Sequence, residues 1–391
     1  NIEINNINNK KALENIYGIV FISLLMIVGI PGNITALFVY LRKYKSSTYR
    51  AFIVCLAIVD LATCCTSMPF FIVNLRYPIL FPSNAACKMF HFLTCFLCLG
   101  STFIIVTIAV ERYRKICAPH GTQMSEKMSR YICILDLMAA CFLSWPVAVM
   151  YGQRSYETGI GYINGTECSV INEFEKTKYP AYFNFGGLLV ILTSLMALTI
   201  IYSLIEKEIV RMKKQVSEQI CHRPCNARAQ TIRCSSSVYV QKGDLNTISA
   251  DELVNESGET ISFTLPVEVN KRGDYVDGGK KEHCAEALDA EERWNKKRHK
   301  TICITRVLFI ITVVFACSFL PHLALQIIAF LDRTFLPNLS SSGIAAYQTF
   351  RWTYYINNVA NPIIYGFCDR KFIEEIRRFC GSLCGVCFTR K

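Results

Sequence analysis

From Met89 to Val110 the sequence has no Asp, Glu, Lys or Arg, and His91 is its one chargeable side chain. That lack of charge excludes a surface helix of a soluble domain, which needs a polar face. The chain also lacks paired C-x-x-C knuckles, so "CHRPC" (221–225) with Cys234 is a poor zinc set. It lacks an internal repeat, which counts against a transporter built from inverted halves. It lacks a nucleophile–base pair, so nothing points to an enzyme. No cleavable signal precedes "NIEINNINNKK" (1–11), a polar stretch read as a poorly ordered tail. The chain starts on Asn rather than Met, as a fragment or a processed product would.

What the chain has is apolar length. Its 391 residues are 52% hydrophobic, with a mean hydropathy of +0.29. Runs of roughly 20 residues, enough to cross a ~30 Å hydrocarbon core, recur along it. Spans are expected at 16–41, 50–75, 89–113, 130–151, 181–206, 302–330 and 343–367. The expected fold is an all-α bundle of seven membrane helices. Lys and Arg orient it. With the amino terminus outside, the outer segments hold Lys10, Lys11, Arg76, Lys88, Arg154, Lys176, Lys178, Arg333 and Arg351, nine of 42, leaving 33 inside. The net charge of +12 is then a property of the inner face, not a nucleic-acid patch. Cysteine agrees: of 20, only Cys87 and Cys168 face the oxidising side, leaving one candidate bridge.

The expected organisation is an outer tail (1–15), five spans (16–206), a long inner loop (207–301), two spans (302–367) and an amphipathic segment with a short tail (368–391). The loop is charged and carries no spanning run; it reads as helical extensions at both ends with disorder between them. Inside the spans, ionisable groups are functional candidates by default. From the helical rise, Asp60 lies roughly 15 Å above the inner surface and Ser101 about 16 Å. Asn357 and Asn361, four apart on one face, lie roughly 18 and 12 Å up. One carboxylate, one hydroxyl and two amides share a layer that suits Na⁺, a water cluster or a packing network. An ion-coupled transporter using Asp60, Asn357 and Asn361 is the alternative, although apolar residues bracket the layer on both sides.

These residues resemble a family, the rhodopsin-like (class A) G-protein-coupled receptors. "GN" (32–33), "LAIVD" (56–60), "ERY" (111–113), "FACSFLP" (315–321), "NPIIY" (361–365) and the amphipathic "DRKFIEEIRRF" (369–379) match its landmarks in order, with Cys87 and Cys168. The resemblance covers roughly 16–380 and implies that Glu111 neutralises Arg112 at the inner mouth while the receptor is off. Outward swing of span six at Pro321 then lets Arg112 meet a heterotrimeric G protein. Tyr202 and Tyr365 turn inward to hold that state beside Tyr113, with Phe315, Phe319, Asn361 and Pro362 as internal switches. Asp60, Ser101, Asn357 and Asn361 become an allosteric Na⁺ site, and no other cofactor is implied. The chain departs from the pattern at Ser194 (usually Pro), Phe319 (usually Trp), Ser318 (usually Cys) and Thr301 (an acid in some members). In span four, Trp145 lies too near the outer end to be the family's tryptophan and Asp136 sits buried instead, in either a functional or a packing role.

The binding pocket belongs at the outer third. Thr94 stands where amine receptors place an aspartate, and Tyr355 where opsins carry the retinal-linking lysine. Neither a monoamine nor retinal fits. Arg351, level with Thr94, suits a carboxylate or a terminal carbonyl; His91, Gln326, Tyr347 and Tyr354 join it. "YINGTE" (162–167) reads as a type I′ hairpin turn, and by resemblance a hairpin lid tied through Cys168 typifies neuropeptide receptors. A plasma-membrane location, an extracellular amino terminus and a peptide ligand follow. Asn164 and Asn338 lie in N-x-S/T sequons on the outer side. Cys380, Cys384 and Cys387 beside Arg377 and Arg378 suit palmitate. Thr231, Ser235, Ser236, Ser237, Thr247, Ser249, Ser257 and Thr260 make the loop, rather than the tail, the expected phosphorylated surface for arrestin.

Overall fold

A backbone crossing lipid must satisfy its own hydrogen bonds, and long apolar runs do so as helices. The computed structural model describes residues 2–119, 121–157, 164–221, 278–332, 335 and 338–378. Its elements are α1 (Ile2–Glu14), α2 (Ile16–Lys43), α3 (Thr48–Cys65), α4 (Ser67–Arg76), α5 (Asn84–Cys117) and α6 (Glu126–Met150). Strands β1 (Tyr151–Glu157) and β2 (Asn164–Val170), the short α7 (Asn172–Glu175), α8 (Tyr179–Cys221) and α9 (Gly278–Leu331) follow. The chain continues through α10 (Ser341–Phe350), a 3₁₀ turn (Thr353–Tyr355), α11 (Ile356–Cys368) and α12 (370–378). It divides into two compact units, residues 1–210 with 302–391, and residues 211–301, which hold the continuations of α8 and α9.

Among the described residues, six helices are long and apolar enough to cross a membrane: Ile16–Lys43, Thr48–Arg76, Asn84–Cys117, Glu126–Met150, Tyr179–Met212 and Ile302–Ile328. The expected seventh is present in two pieces, α10 and α11, joined through Arg351–Tyr355. Span two also breaks, at Thr66, because Pro69 has no N–H to return to the Cys65 carbonyl one turn back. Serine side chains cap the entries: Ser47, Ser83, Ser125 and Ser340 accept from Arg50, Ala86, Met128 and Gly343 backbone N–H groups. Ser194, where the family has proline, donates to the Val190 carbonyl at 2.7 Å, and α8 runs on unbroken.

Spans one, two and seven pack closest at Gly29. A Cβ there would meet Cys64 Sγ at 2.7 Å and Val359 Cγ2 at 2.9 Å, so a methyl group would push the helices apart. One turn on, the buried Asn33 amide donates to the Asn358 carbonyl at 2.9 Å. That carbonyl is freed because Pro362, four residues later, has no N–H to offer it.

The hairpin pairs Tyr151 with Val170 through to Glu157 with Asn164. Cys168 on β2 is bridged to Cys87 on α5, with Cα atoms 5.6 Å apart. Arg154 holds the base through Glu167 (Nε–Oε1 2.7 Å) and Glu175 (2.6 Å). The Asn164–Gly165 pair does not form the turn: it opens β2, opposite Glu157 and Tyr156, and the connection falls at 158–163, outside the described residues. Gly165 serves a close approach instead, since a Cβ there would lie 2.6 Å from the Ile79 carbonyl oxygen. On either side of that contact, Thr166 N–H donates to Ile79 (2.8 Å) and Phe81 N–H donates to Thr166 (2.9 Å).

The expected loose tail is also corrected. Residues 2–14 form α1, and Asn8 is buried, donating to the Arg76 carbonyl (3.2 Å) and accepting from Ile79 N–H (3.3 Å). Asn15 donates to the Leu75 carbonyl (3.2 Å) and accepts from Gln348 (2.6 Å). Polar side chains that looked like solvated tail cap the ends of spans two and seven. Lys11 sits 3.8 Å over the Tyr156 ring of the hairpin.

Candidate functional site

At the hairpin end of the bundle lies a cavity of about 830 Å³. His91, Thr94, Gln326, Tyr347, Arg351 and Tyr354, all anticipated, line it, and among the described residues no Asp or Glu does. Arg351 is its one Lys or Arg among the described residues. The guanidinium lies 5.0 Å from the Trp352 ring and 5.9 Å from that of Tyr347, and it has no carboxylate partner among the described residues. His91 stacks on Tyr151 at 4.4 Å with Phe71 edge-on, and its Nε2 is buried without a partner. Thr94 donates to the Phe90 carbonyl (2.8 Å) and lies 3.1 Å from Ser67 Oγ. Tyr354 forms the floor, against His322 (4.8 Å) and Phe319 (6.0 Å). Phe319 in turn meets Phe315 at 4.7 Å.

His322 was missed. Its Nδ1 lies 2.7 Å from the Arg351 carbonyl and its Nε2 2.9 Å from Gln326 Nε2. A carbonyl only accepts, so Nδ1 carries the hydrogen and Nε2 accepts from Gln326. Its spacing four residues before Gln326 was a usable signal, hidden by its place beside the hinge proline.

Below the cavity, the polar layer is regrouped. Asp60 is fully buried; it accepts from Asn358 (Oδ1, 2.8 Å) and Asn361 (Oδ2, 2.7 Å). Asn357 turns instead to Ser101 Oγ (3.2 Å), and its own Oδ1 is buried without a partner. The expected set of Asp60, Ser101, Asn357 and Asn361 is thus two linked pairs, and the missed Asn358 completes the first. Its place three residues before Asn361, on the same face, was the available signal. A small void of about 10 Å³ beside Ser101, Asn357 and Asn358 reaches Thr94 and Phe319 above. Asp136 is no orphan, since Thr107 donates to its Oδ2 at 2.9 Å.

At the far end of α5, Glu111 and Arg112 are both buried, with Nε 2.6 Å from Oε2 as a close ion pair without hydrogen-bond alignment. Oε1 takes two further partners: Lys115 Nζ at 2.6 Å and the Thr48 hydroxyl at 2.9 Å. Tyr202 is buried with its ring against Phe309 (5.4 Å). The Tyr365 hydroxyl has no hydrogen-bond partner among the described residues, and its ring packs on Tyr40 (5.4 Å) and Phe372 (5.9 Å). Asp369 accepts from the Tyr40 hydroxyl at 3.0 Å and caps α12 through Lys371 N–H at 3.1 Å. Tyr113 is half-buried, and Asn164 and Asn338 are exposed. Cys380, Cys384, Cys387, the "CHRPC" stretch beyond Cys221 and the loop serines and threonines lie outside the described residues.

Seven spanning segments, a disulfide-tied hairpin over a cavity and a buried Glu–Arg pair at the opposite end define a membrane receptor. The chain matches the family described as "7 transmembrane receptor (rhodopsin family)" over residues 32–365, and it belongs to that family. It is 28% identical to nematocin receptor 2 of Caenorhabditis elegans over 209 residues, 50% of this chain and 51% of that receptor. It is 26% identical to the human neuropeptide S receptor over 136 residues, 34% of this chain and 36% of that one. It is 21% identical to the 5-hydroxytryptamine receptor 2B of Dichotomyctere fluviatilis over 381 residues, 94% and 76%. The chain thus spans about half the nematocin receptor's length and about a third of the neuropeptide S receptor's. It is a multi-pass membrane receptor and not an enzyme, and nothing among its relatives supports the transporter alternative.

Proposed function

We propose that the chain is a plasma-membrane receptor, amino terminus outside, that binds an extracellular neuropeptide and activates a heterotrimeric G protein. The observation that carries this reading is the cavity of about 830 Å³, which among the described residues is lined by one Arg and no Asp or Glu. An ammonium ligand would find no counter-charge there and would meet Arg351. A peptide's terminal carboxylate or carbonyl would find a planar guanidinium beside two aromatic rings. Two of the similar receptors carry neuropeptide S or nematocin in their names, the third 5-hydroxytryptamine, and the cavity's charge favours the peptide side.

Engagement of the G protein would break the Glu111–Arg112 pair as span six swings at Pro321. Tyr202 and Tyr365 would then turn inward. Sodium would oppose this. Asp60 and Ser101, with the amide oxygens of Asn357 and Asn361, form a donor set that suits a hard cation once those amides turn oxygen inward. Palmitate on Cys380, Cys384 and Cys387 would pin α12 to the inner leaflet. Phosphates on the 231–260 loop would recruit arrestin.

Nucleotide exchange on purified G-protein heterotrimers, driven by a panel of peptides with 5-hydroxytryptamine as the amine arm, tests the reading. Exchange evoked by a peptide and not by the amine is expected. A response to the amine alone refutes the ligand assignment, and silence of every G-protein subtype under a ligand that binds refutes the coupling.

A further inference from the structure

Glu111 is held by two cations rather than one. Arg112 Nε approaches Oε2 at 2.6 Å, while Lys115 Nζ lies 2.6 Å from Oε1. Thr48 closes a ring, donating to Oε1 at 2.9 Å while its own oxygen accepts from Lys115 at 2.6 Å. The Lys115 side chain is 30% exposed against 3% for Arg112 and 2% for Glu111, so Lys115 closes the ring from its open side.

We propose that Lys115 is a positioning residue that sets ligand-independent activity by sharing the Glu111 carboxylate with Arg112. The inference rests on reading Glu111–Arg112 as the G-protein switch. Three effects act in one direction. Removing one partner of a buried ion pair leaves the other uncompensated, which is costly; Lys115, four residues along the same helix, stays beside Glu111 when Arg112 departs. While the pair is intact, Lys115 offsets part of the carboxylate charge that holds Arg112. Its own charge also repels the guanidinium. Each shifts the population toward the state in which Arg112 is free. A receptor with a neutral residue at this place would have the tighter lock.

The test needs no ligand. Full-length receptor in lipid nanodiscs is mixed with purified G-protein heterotrimers of each subtype, and basal nucleotide exchange is followed for wild type, K115M, K115R, E111Q and E111Q/K115M. The expected K115M rate falls roughly 1.5- to fivefold, the range of a partly exposed ion pair, while K115R stays near wild type. E111Q exceeds wild type, and adding K115M to it lowers the rate by less than K115M does alone, because the shared carboxylate is gone and only the repulsion between Lys115 and Arg112 is left to remove. A K115M rate equal to or above wild type while E111Q is elevated overturns the Lys115 role and leaves the switch standing. An E111Q rate no higher than wild type overturns the switch reading and this inference with it. Thermal unfolding of each variant separates a tighter lock from a damaged fold: K115R must unfold with wild type, and a K115M loss that K115R shares counts against the proposal.

Discussion

Asn358 Nδ2 lies 2.8 Å from Oδ1 of Asp60, one turn above the 2.7 Å contact from Asn361 to the other carboxylate oxygen. Both oxygens of a fully buried acid are therefore occupied by neutral donors. A cation entering the layer repels these amide N–H groups and competes with them for the carboxylate, so Na⁺ and the present arrangement oppose one another. Rising Na⁺ is expected to lower agonist affinity, and Asp60→Asn to abolish that dependence. Asn358→Ala, which frees Oδ1, should move the midpoint to lower Na⁺. A wild-type receptor indifferent to Na⁺ would make the layer a packing network.

Arg351→Ala should weaken a peptide with a free terminal carboxylate by roughly 10- to 100-fold, the range of a charge-assisted contact. Arg351→Lys should recover only part of that loss, since an ammonium cannot offer the planar fork. Competition binding against amidated and free-acid forms of one peptide reads the difference. Equal losses for the two forms would place Arg351 on a carbonyl rather than a carboxylate.

Gly165→Ala forces a Cβ to within 2.6 Å of the Ile79 carbonyl oxygen, and backbone cannot yield there as a flexible side chain would. The variant should undock β2 from residues 79–81 and lower thermal stability by about 1–3 kcal/mol. Losing the bridge itself, which closes a loop across 81 residues, should cost more, about 4–5 kcal/mol on a chain-entropy basis. Scanning calorimetry of Gly165→Ala beside Cys168→Ser ranks the two. The idea fails if Gly165→Ala melts with wild type.

Glycan is expected on Asn164 and Asn338 and absent from Asn255, which an endoglycosidase mobility shift in Asn→Gln variants will read. The first sequon adds a timing constraint. Thr166, its hydroxyl residue, uses Oγ1 to donate to the Phe81 carbonyl at 3.2 Å once the hairpin docks. Transfer to Asn164 should therefore precede docking. Synthesis into microsomes under reducing conditions, which delays the Cys87–Cys168 bridge and hairpin docking, should raise occupancy of Asn164 and leave that of Asn338 unchanged.

Much of this was legible because a membrane span declares itself locally. The charge-free run before Glu111 needs no knowledge of its neighbours to be read as a buried helix, and Pro321 and Pro362 mark kinks by covalent structure alone. What escaped depends on distant partners. The asparagines of 1–15 read as solvated tail because the groups they satisfy, at Leu75, Arg76 and Ile79, are 60 or more residues away. The Asn-Gly pair was given the commonest reason for such a pair, a turn, when Gly165 answers to the Ile79 carbonyl. Lys115 and Asn358 were within reach of helical spacing. A lysine at the inner end of a span also reads as a solvated topology anchor, and adjacent asparagines offer the same chemistry on different faces, so spacing alone does not single either one out.

Gly29 has a practical use for spectroscopy. With no room for a methyl group between spans one, two and seven, and with Asn33 tied to the Asn358 carbonyl, these three segments offer a common frame of reference. A probe pair placed across spans one and seven should report a nearly constant separation through an activation cycle. The same donor paired with a probe on span six beyond Pro321 should carry the signal, which makes the first pair the internal standard against which the second is calibrated.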